Sequence, residues 1–241
     1  MKSLKIVLIG YGRMGQEIEK AAKMRGHSIL FSVDKDDQDK LTTENLKQAD
    51  VAIEFSIPEA AFDNIMACFK AGVPVVSGTT GWLDNFYEIR KYCIEHKNAF
   101  FYASNFSIGV NLFFQANKYL ARIMNSYPNY DVSIEEVHHK HKLDAPSGTA
   151  VTLAELIMKE IQNKQKWTKE LDAGTDGISV QSRREGEVPG IHEVTYESEF
   201  DQIQVKHSAK SREGFSLGAV MAAEFLVGKT GIYSMDDLLS I

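Results

Sequence analysis

Hydrophobic positions in the first hundred residues fall into short runs separated by longer amphipathic stretches. Residues 5–9, KIVLI, make an apolar run of strand length. Further runs follow at 28–34 (SILFSVD), 51–56 (VAIEFS), 74–78 (PVVSG) and 99–105 (AFFYASN). Between them, residues 16–26, 58–72 and 84–97 carry helical spacing, and Gly26 and Gly72 close the first two. Ser56-Ile57-Pro58-Glu59 has the spacing of a capping box at the start of the second helix. Such strand–helix alternation predicts a parallel sheet with helices on both faces.

The pattern changes after residue 105. Residues 109–126 read as one amphipathic helix, 131–139 (DVSIEEVHH) as a strand and 147–164 as a helix. Three strand-like runs follow, ISVQSRR, HEVTYES and QIQVKHSA, separated by turn signals at Gly186, Pro189-Gly190 and Asp201-Gln202. Residues 211–229 read as a last helix, whose Gly218, Ala219, Ala222 and Ala223 suit close packing. That helix is expected to return to the first domain. The predicted organisation is therefore α/β: a parallel-sheet domain of residues 1–105 and 213–241, and an inserted α+β domain of residues 106–212 with a mixed or antiparallel sheet.

The first strand runs directly into Gly10-Tyr11-Gly12-Arg13-Met14-Gly15, a G-x-G-x-x-G turn that leads into a helix. Gly10 permits the tight turn, Gly12 lets backbone approach a pyrophosphate, and Gly15 lets helix and strand pack closely. Asp34 ends the second strand, 19 positions beyond Gly15, where a carboxylate would accept from ribose hydroxyls. This is the Rossmann-type arrangement for a dinucleotide. Asp34 favours NAD. Lys35 beside it and Arg13 in the glycine loop could neutralise a 2′-phosphate, so use of both NADH and NADPH is expected. Ligands in such sheets collect at the carboxyl ends of strands. Gly78-Thr79-Thr80 and Ala103-Ser104-Asn105-Phe106 lie there and are candidates to hold the nicotinamide and its ribose.

Bulk properties exclude several classes. The chain has 241 residues and a formal net charge of -6, with a pI near 5.7, which argues against a nucleic-acid binder. No apolar run is long enough to cross a bilayer. The N-terminal apolar run is too short for a secretion signal and leads straight into the glycine turn. Cys68 and Cys93, both within predicted helices, read as reduced thiols of a cytoplasmic protein.

Against that acidic background, His138, His139, Lys140, His141 and Lys142 stand in one unbroken run, followed by Asp144-Ala145-Pro146 and then Ser147-Gly148-Thr149 at a helix start. Clustered cations repel one another, and no core requires them. A site for an anionic small molecule would use them: His moves protons near neutral pH, Lys supplies fixed charge, and a helix start offers free N–H groups. A solvated charged face is the plain alternative for the run, above all for Lys140 and His141. Lysines beside the histidines argue against a metal, and none is expected. If the strand continued, His139 and His141 would share one face and His138 the other.

The stretch 135–150, EEVHHKHKLDAPSGTA, closely resembles the motif of the 4-hydroxy-tetrahydrodipicolinate reductase (dihydrodipicolinate reductase) family of bacterial lysine biosynthesis. Further blocks appear in the same order: the glycine loop, Gly78-Thr79-Thr80-Gly81, Asn105-Phe106-Ser107-Ile108-Gly109, and the tail from Arg212-Glu213-Gly214-Phe215 to Gly231-Ile232-Tyr233-Ser234-Met235. The segment after Asp34 looks shorter than in many members. The resemblance implies NADH- or NADPH-dependent reduction of a cyclic dicarboxylate imine, with loss of water, to tetrahydrodipicolinate. It implies His138 as proton donor, Lys142 as second catalytic residue, His139 as a substrate contact, and Gly148 and Thr149 as binders of a substrate carboxylate. It also implies a cytoplasmic homotetramer, with strands around 176–209 as candidates to pair across subunits. Two other readings are an aspartate- or diaminopimelate-type dehydrogenase and a non-catalytic nucleotide sensor; neither needs HHKHK followed by DAPSGT.

Overall fold

The computed structural model describes residues 2–241. The chain splits into two compact units, residues 1–108 with 213–241 and residues 109–212. The first unit begins with β1 (Lys5–Ile9), α1 (Arg13–Met24) and β2 (Ser28–Val33). A short 3-10 turn and α2 (Thr43–Leu46) lead to β3 (Val51–Glu54), α3 (Pro58–Ala71), β4 (Val75–Ser77), α4 (Phe86–Glu95) and β5 (Ala99–Tyr102). β3, β4 and β5 are almost wholly buried, as is β1 beyond Lys5, which is why they read as continuous apolar runs; β2, at the sheet edge, buries only Val33 fully. α1 buries Gly15, Ile18 and Ala22, a stripe at helical spacing.

Two local expectations fail. Ser56 does not cap α3: Ile57 holds the N-cap position and no side chain caps it. The Ser56 hydroxyl instead donates to the buried Glu54 carboxylate and accepts from Asn64 Nδ2 at 3.0 Å. The hydroxyl is thus oriented toward the buried carboxylate, and its acceptor side is taken by Asn64 instead of by the helix-end N–H groups. The helix expected over 84–97 starts as a 3-10 turn, Leu83–Asn85, and is α-helical only over Phe86–Glu95.

The second unit holds most of α5 (Ile108–Met124), then β6 (Asp131–His138), α6 (Gly148–Glu160), β7 (Lys166–Thr168), β8 (Gly177–Arg184), β9 (Ile191–Glu197) and β10 (Gln202–Ser208). Its five-stranded sheet has the order β10-β9-β6-β8-β7. It is mixed: β9 is antiparallel to both β6 and β10, whereas β8 is parallel to β6 and β7. The core packs Ile134, Val180, Val194 and Tyr196 of the sheet against Leu153, Ala154 and Ile157 of α6. β6 ends at His138. The chain turns there, with Lys142 N–H donating to the His139 carbonyl at 3.1 Å; it is this turn and not a continued strand that leaves the His139 and His141 rings 6.2 Å apart.

The chain returns to the first unit as α7 (Glu213–Leu226), β11 (Gly231–Tyr233) and α8 (Met235–Leu239). β11 pairs in parallel with β5 and completes a six-stranded sheet of order β11-β5-β4-β3-β1-β2. This strand is three residues long and begins at Gly231, and no pattern in the sequence marks it. Small residues on α7 serve the close approach expected of them. A Cβ at Gly218 would fall 1.8 Å from the Phe106 carbonyl oxygen. Cys68 and Cys93 are buried free thiols, and burial pushes Cys93 up to about 11.

Candidate active site

The first unit offers a cavity of about 570 Å³ lined by Gly10, Gly12, Asp34, Lys35, Phe55 and Ser56 among others. Gly10 sits at φ +91, and a Cβ there would lie 2.1 Å from the Phe55 carbonyl oxygen. A Cβ on Gly15 would lie 2.3 Å from the Gly10 carbonyl oxygen, whereas at Gly12 nothing stands within 4 Å. So Gly10 and Gly15 make the turn, and Gly12 leaves open space at the start of α1. No side chain caps α1, and its first turn carries no acidic residue. These features fit a pyrophosphate. We expect Gly10→Ala to abolish dinucleotide binding and to lower Tm, since both the positive φ and the backbone clash oppose it. Calorimetric titration with NADH beside a melting curve checks this; unchanged binding would contradict the assignment of the loop.

The other cofactor candidates divide. Asp34 and Lys35 are exposed at the cavity, joined by a Lys35 N–H donation to Asp34 Oδ1 at 2.9 Å. Arg13 is exposed outside its lining, and Met14 leans on the core. The segments Gly78–Thr80 and Ala103–Phe106 also stand outside the lining. Thr79 is buried and its hydroxyl is committed: it donates to Glu54 Oε1 at 2.9 Å and accepts from Ser56 N–H at 2.9 Å. Its carbonyl accepts from Trp82 Nε1 at 2.7 Å. Phe106 is buried against Phe55, with ring centroids 5.4 Å apart, and the Asn105 carboxamide accepts from Ser107 N–H. Gln38, Ile57, Asp63 and Asn64 also line the cavity and carried no motif that would have singled them out.

In the second unit the cationic run is sorted by depth. His138 is buried, His139 and Lys142 are half-buried, and Lys140 and His141 are exposed. His138 is the last residue of β6, so it shares a face with Glu136, two positions earlier. Lys142 follows in the turn and pairs with Asp144 Oδ1 at 2.8 Å. Arg184 staples that turn by donating to the Lys142 carbonyl at 3.2 Å and the Asp144 carbonyl at 2.5 Å. His139 Nε2 lies 3.3 Å from an Arg212 guanidinium nitrogen. His141 lies 3.6 Å from Glu187 with both side chains in solvent, a pair worth little.

After a cis Ala145-Pro146 bond, Ser147 caps α6 by accepting from Ala150 N–H at 3.3 Å. Gly148 is exposed, with no atom within 4 Å of the place a Cβ would take. The start of α6, open at Gly148 and beside histidines and a lysine, suits a carboxylate.

Beneath the run lies a polar cluster that the sequence reading missed: Glu136, Ser182, Arg184 and His192. Strand register builds it. Glu136 pairs with Ser182 on β8 and with His192 on β9, and His138 pairs with Arg184. Glu136 is fully buried. Burial alone would raise its carboxyl, but donors from His192, Ser147 and Ser182 win and hold it far below the usual range. Burial pushes His138 down to about 4; Glu136 opposes that shift, while His192, Lys142 and Arg184 reinforce it. His138 is therefore neutral at pH 7 in the unliganded site. A pattern of Arg184, Gly186, Gly190 and His192 in RREGEVPGIH was the available signal, but each residue alone reads as ordinary strand or turn.

Glu136, His138 and His192 offer ligand atoms within 4.8 Å of one another. That spacing would admit a cation. The donor set opposes it: both Glu136 oxygens already accept from Ser147 N–H, and Arg184 stands 3.5 Å away.

Comparison with known proteins covers nearly the whole chain. The family model described as dihydrodipicolinate reductase, N-terminus, matches residues 4–106, and that described as dihydrodipicolinate reductase, C-terminus, matches residues 109–239. The chain is 52% identical over 237 residues to a 4-hydroxy-tetrahydrodipicolinate reductase of Christiangramia forsetii, covering 98% of each chain. It is 41% identical over 199 residues to that of Methanopyrus kandleri, covering 80% of this chain and 72% of the relative. A dipicolinate-bound dihydrodipicolinate reductase from Paenisporosarcina sp. TG-14 superposes with a TM-score of 0.79 at 25% identity, covering 98% of this chain and 99% of that one. With the glycine-loop cavity in one unit and the histidine–lysine site in the other, both matched along their length, the chain belongs to the dihydrodipicolinate reductase family.

Proposed function

We propose that the chain catalyses NADH- or NADPH-dependent reduction of (2S,4S)-4-hydroxy-2,3,4,5-tetrahydrodipicolinate to tetrahydrodipicolinate, with loss of water, in the diaminopimelate route to lysine. The observation that carries the reading is the folded form of EEVHHKHKLDAPSGT: a buried His138, a half-buried Lys142 and an open helix start at Gly148, drawn together by one strand end and one turn. The names of the relatives and the dicarboxylate held by the Paenisporosarcina protein support it.

The first unit would hold the cofactor through Gly10, Gly12 and Gly15 at the pyrophosphate and Asp34 at the ribose. Arg13, Met14, Gly78, Thr79, Thr80 and residues 103–106 are further candidate contacts. When bound, the reduced nicotinamide supplies the hydride. Loss of the hydroxyl together with a proton from the adjacent carbon, as water, leaves a carbon–carbon double bond conjugated to the imine. Hydride arriving at the far carbon of that bond pushes electron density toward the nitrogen and the neighbouring carbon, and His138 then delivers the proton. Lys142 stabilises the negative charge that develops. His139 contacts the substrate, and Gly148 and Thr149 hold a carboxylate at the start of α6.

A proton donor pushed down to about 4 is unprotonated at neutral pH. A bound dicarboxylate brings negative charge to the cationic surface around His138 and raises it toward the protonated form. The substrate thus arms its own donor.

No helix among the described residues is long and apolar enough to cross a membrane. We place the enzyme in the cytoplasm as a homotetramer, with residues 109–212 binding substrate and supplying the subunit contacts. Asp34 and Lys35 side by side at the cavity favour use of both cofactors. The Michaelis constants for NADH and NADPH are expected within about a hundredfold of each other, a span of roughly 2.7 kcal/mol; a wider gap would overturn dual use. The reaction itself is tested by product analysis. Reconstituted with a dihydrodipicolinate synthase, aspartate semialdehyde and pyruvate, the protein should yield tetrahydrodipicolinate; its absence would refute the proposal.

A further inference from the structure

Beneath the five cations lies a carboxylate that draws several elements together. Glu136 receives Ser147 N–H at 3.1 Å on each oxygen and the Ser182 hydroxyl at 2.8 Å. Arg184 lies 3.5 Å from one oxygen; His138 Nδ1 and His192 Nε2 lie 3.4 and 3.6 Å from the other. His192 Nε2 is also 3.1 Å from the Ser147 hydroxyl. Two strands, a helix start and the candidate proton donor therefore converge on one group.

Packing does not account for this carboxylate. A fully buried ion carries a desolvation penalty of several kcal/mol, and replacing such ionic clusters by apolar groups is often neutral for stability. What the geometry does provide is a fixed relation. The Ser147 amide ties the start of α6, where a carboxylate would rest, to β6 two residues before His138. Moving Glu136 would change the separation between the two.

We infer that Glu136 is a positioning residue for the proposed reaction: its carboxylate holds His138 and the Ser147–Thr149 helix start at one spacing, so that the proton donor and the carboxylate cradle meet the same substrate. The inference rests on the reaction proposed above. Glu136 also sets charge. The groups facing His138 are Glu136 from its own strand, His192 from β9, Arg184 from β8 and Lys142 from the turn. Of those four, Glu136 alone is anionic. Without it, a protonated His138 would face only cations and a histidine.

The test compares Glu136→Gln and Glu136→Asp with the wild type, reading kcat against pH, the Kd for pyridine-2,6-dicarboxylate, and Tm. Glu136→Gln keeps the shape and loses the charge. Its kcat should fall by about tenfold or more, and the basic limb of its kcat–pH curve should move down by roughly one pH unit. Glu136→Asp keeps the charge and loses the reach. Its limb should stay in place while kcat falls and the dicarboxylate binds more weakly. Wild-type kcat and an unmoved limb in folded Glu136→Gln would overturn the inference. So would failure of both variants to fold, which would make Glu136 a folding residue. An inactive wild type would refute the reaction instead, and the Kd comparison among the three proteins would still read the positioning role.

Discussion

Replacing Lys142 with alanine is expected to lower kcat by about a thousandfold, roughly 4 kcal/mol of transition-state stabilisation. The fold should survive. Its turn is held by backbone groups: the Lys142 amide donates to His139, and its carbonyl accepts from Arg184. The side chain is 22% exposed and pairs only with Asp144, itself largely in solvent, so its loss removes little stability. The charge, by contrast, is the one proposed to stabilise the electron density that hydride addition leaves on the substrate. A second readout separates this from general damage. Lys142 opposes protonation of His138. Removing it should therefore move the basic limb of whatever activity remains to higher pH, opposite to the shift expected for Glu136→Gln. Near wild-type turnover in folded Lys142→Ala would remove Lys142 from the mechanism.

His138→Asn should lower kcat by about a hundredfold or more, within the range that a positioned proton donor contributes. The pH behaviour is the sharper expectation. Burial pushes His138 of the free protein down to about 4, and negative charge on a bound substrate is expected to raise it. The donor must be protonated to act, so rate falls as pH rises through its pKa. The fall in kcat, which reports the complex, should then come at higher pH than the fall in kcat/KM, which reports the free protein. The same linkage predicts proton uptake when pyridine-2,6-dicarboxylate binds between those two pH values. Calorimetry in two buffers of different ionisation enthalpy measures it. His138→Asn should abolish the uptake. Binding to the wild type without proton uptake would contradict the role assigned to His138.

The first unit was legible because its signals are local. Buried parallel strands read as apolar runs, and glycines mark the places where a Cβ would meet backbone, as at Gly10 and Gly15. The long amphipathic helices came within a few residues of their observed ends. What failed was set by competition at a distance. Ser56 looked like a helix cap until Glu54, buried on the preceding strand, claimed its hydroxyl. The same carboxylate also holds the Thr79 hydroxyl, a partner that no motif shows. β11 is three residues long and is a strand because β5 offers it an edge.

The histidine–lysine run was visible as an oddity of charge, but not its depth ordering. Only the turn after β6 buries His138 and leaves Lys140 and His141 in water. The cluster around Glu136 was invisible for a different reason. Ser182 and His192 are 46 and 56 positions away from it, and strand register alone makes them neighbours. Residues that act through pairing leave no motif in a single sequence.

Reduction of the imine formed from aspartate semialdehyde and pyruvate is read by following the absorbance of NADH, then NADPH, in that mixture with and without a dihydrodipicolinate synthase. Rapid oxidation that appears only with the synthase, and disappears in Lys142→Ala, is the predicted result. Folded protein that binds reduced nicotinamide yet oxidises neither cofactor in the complete mixture would contradict it.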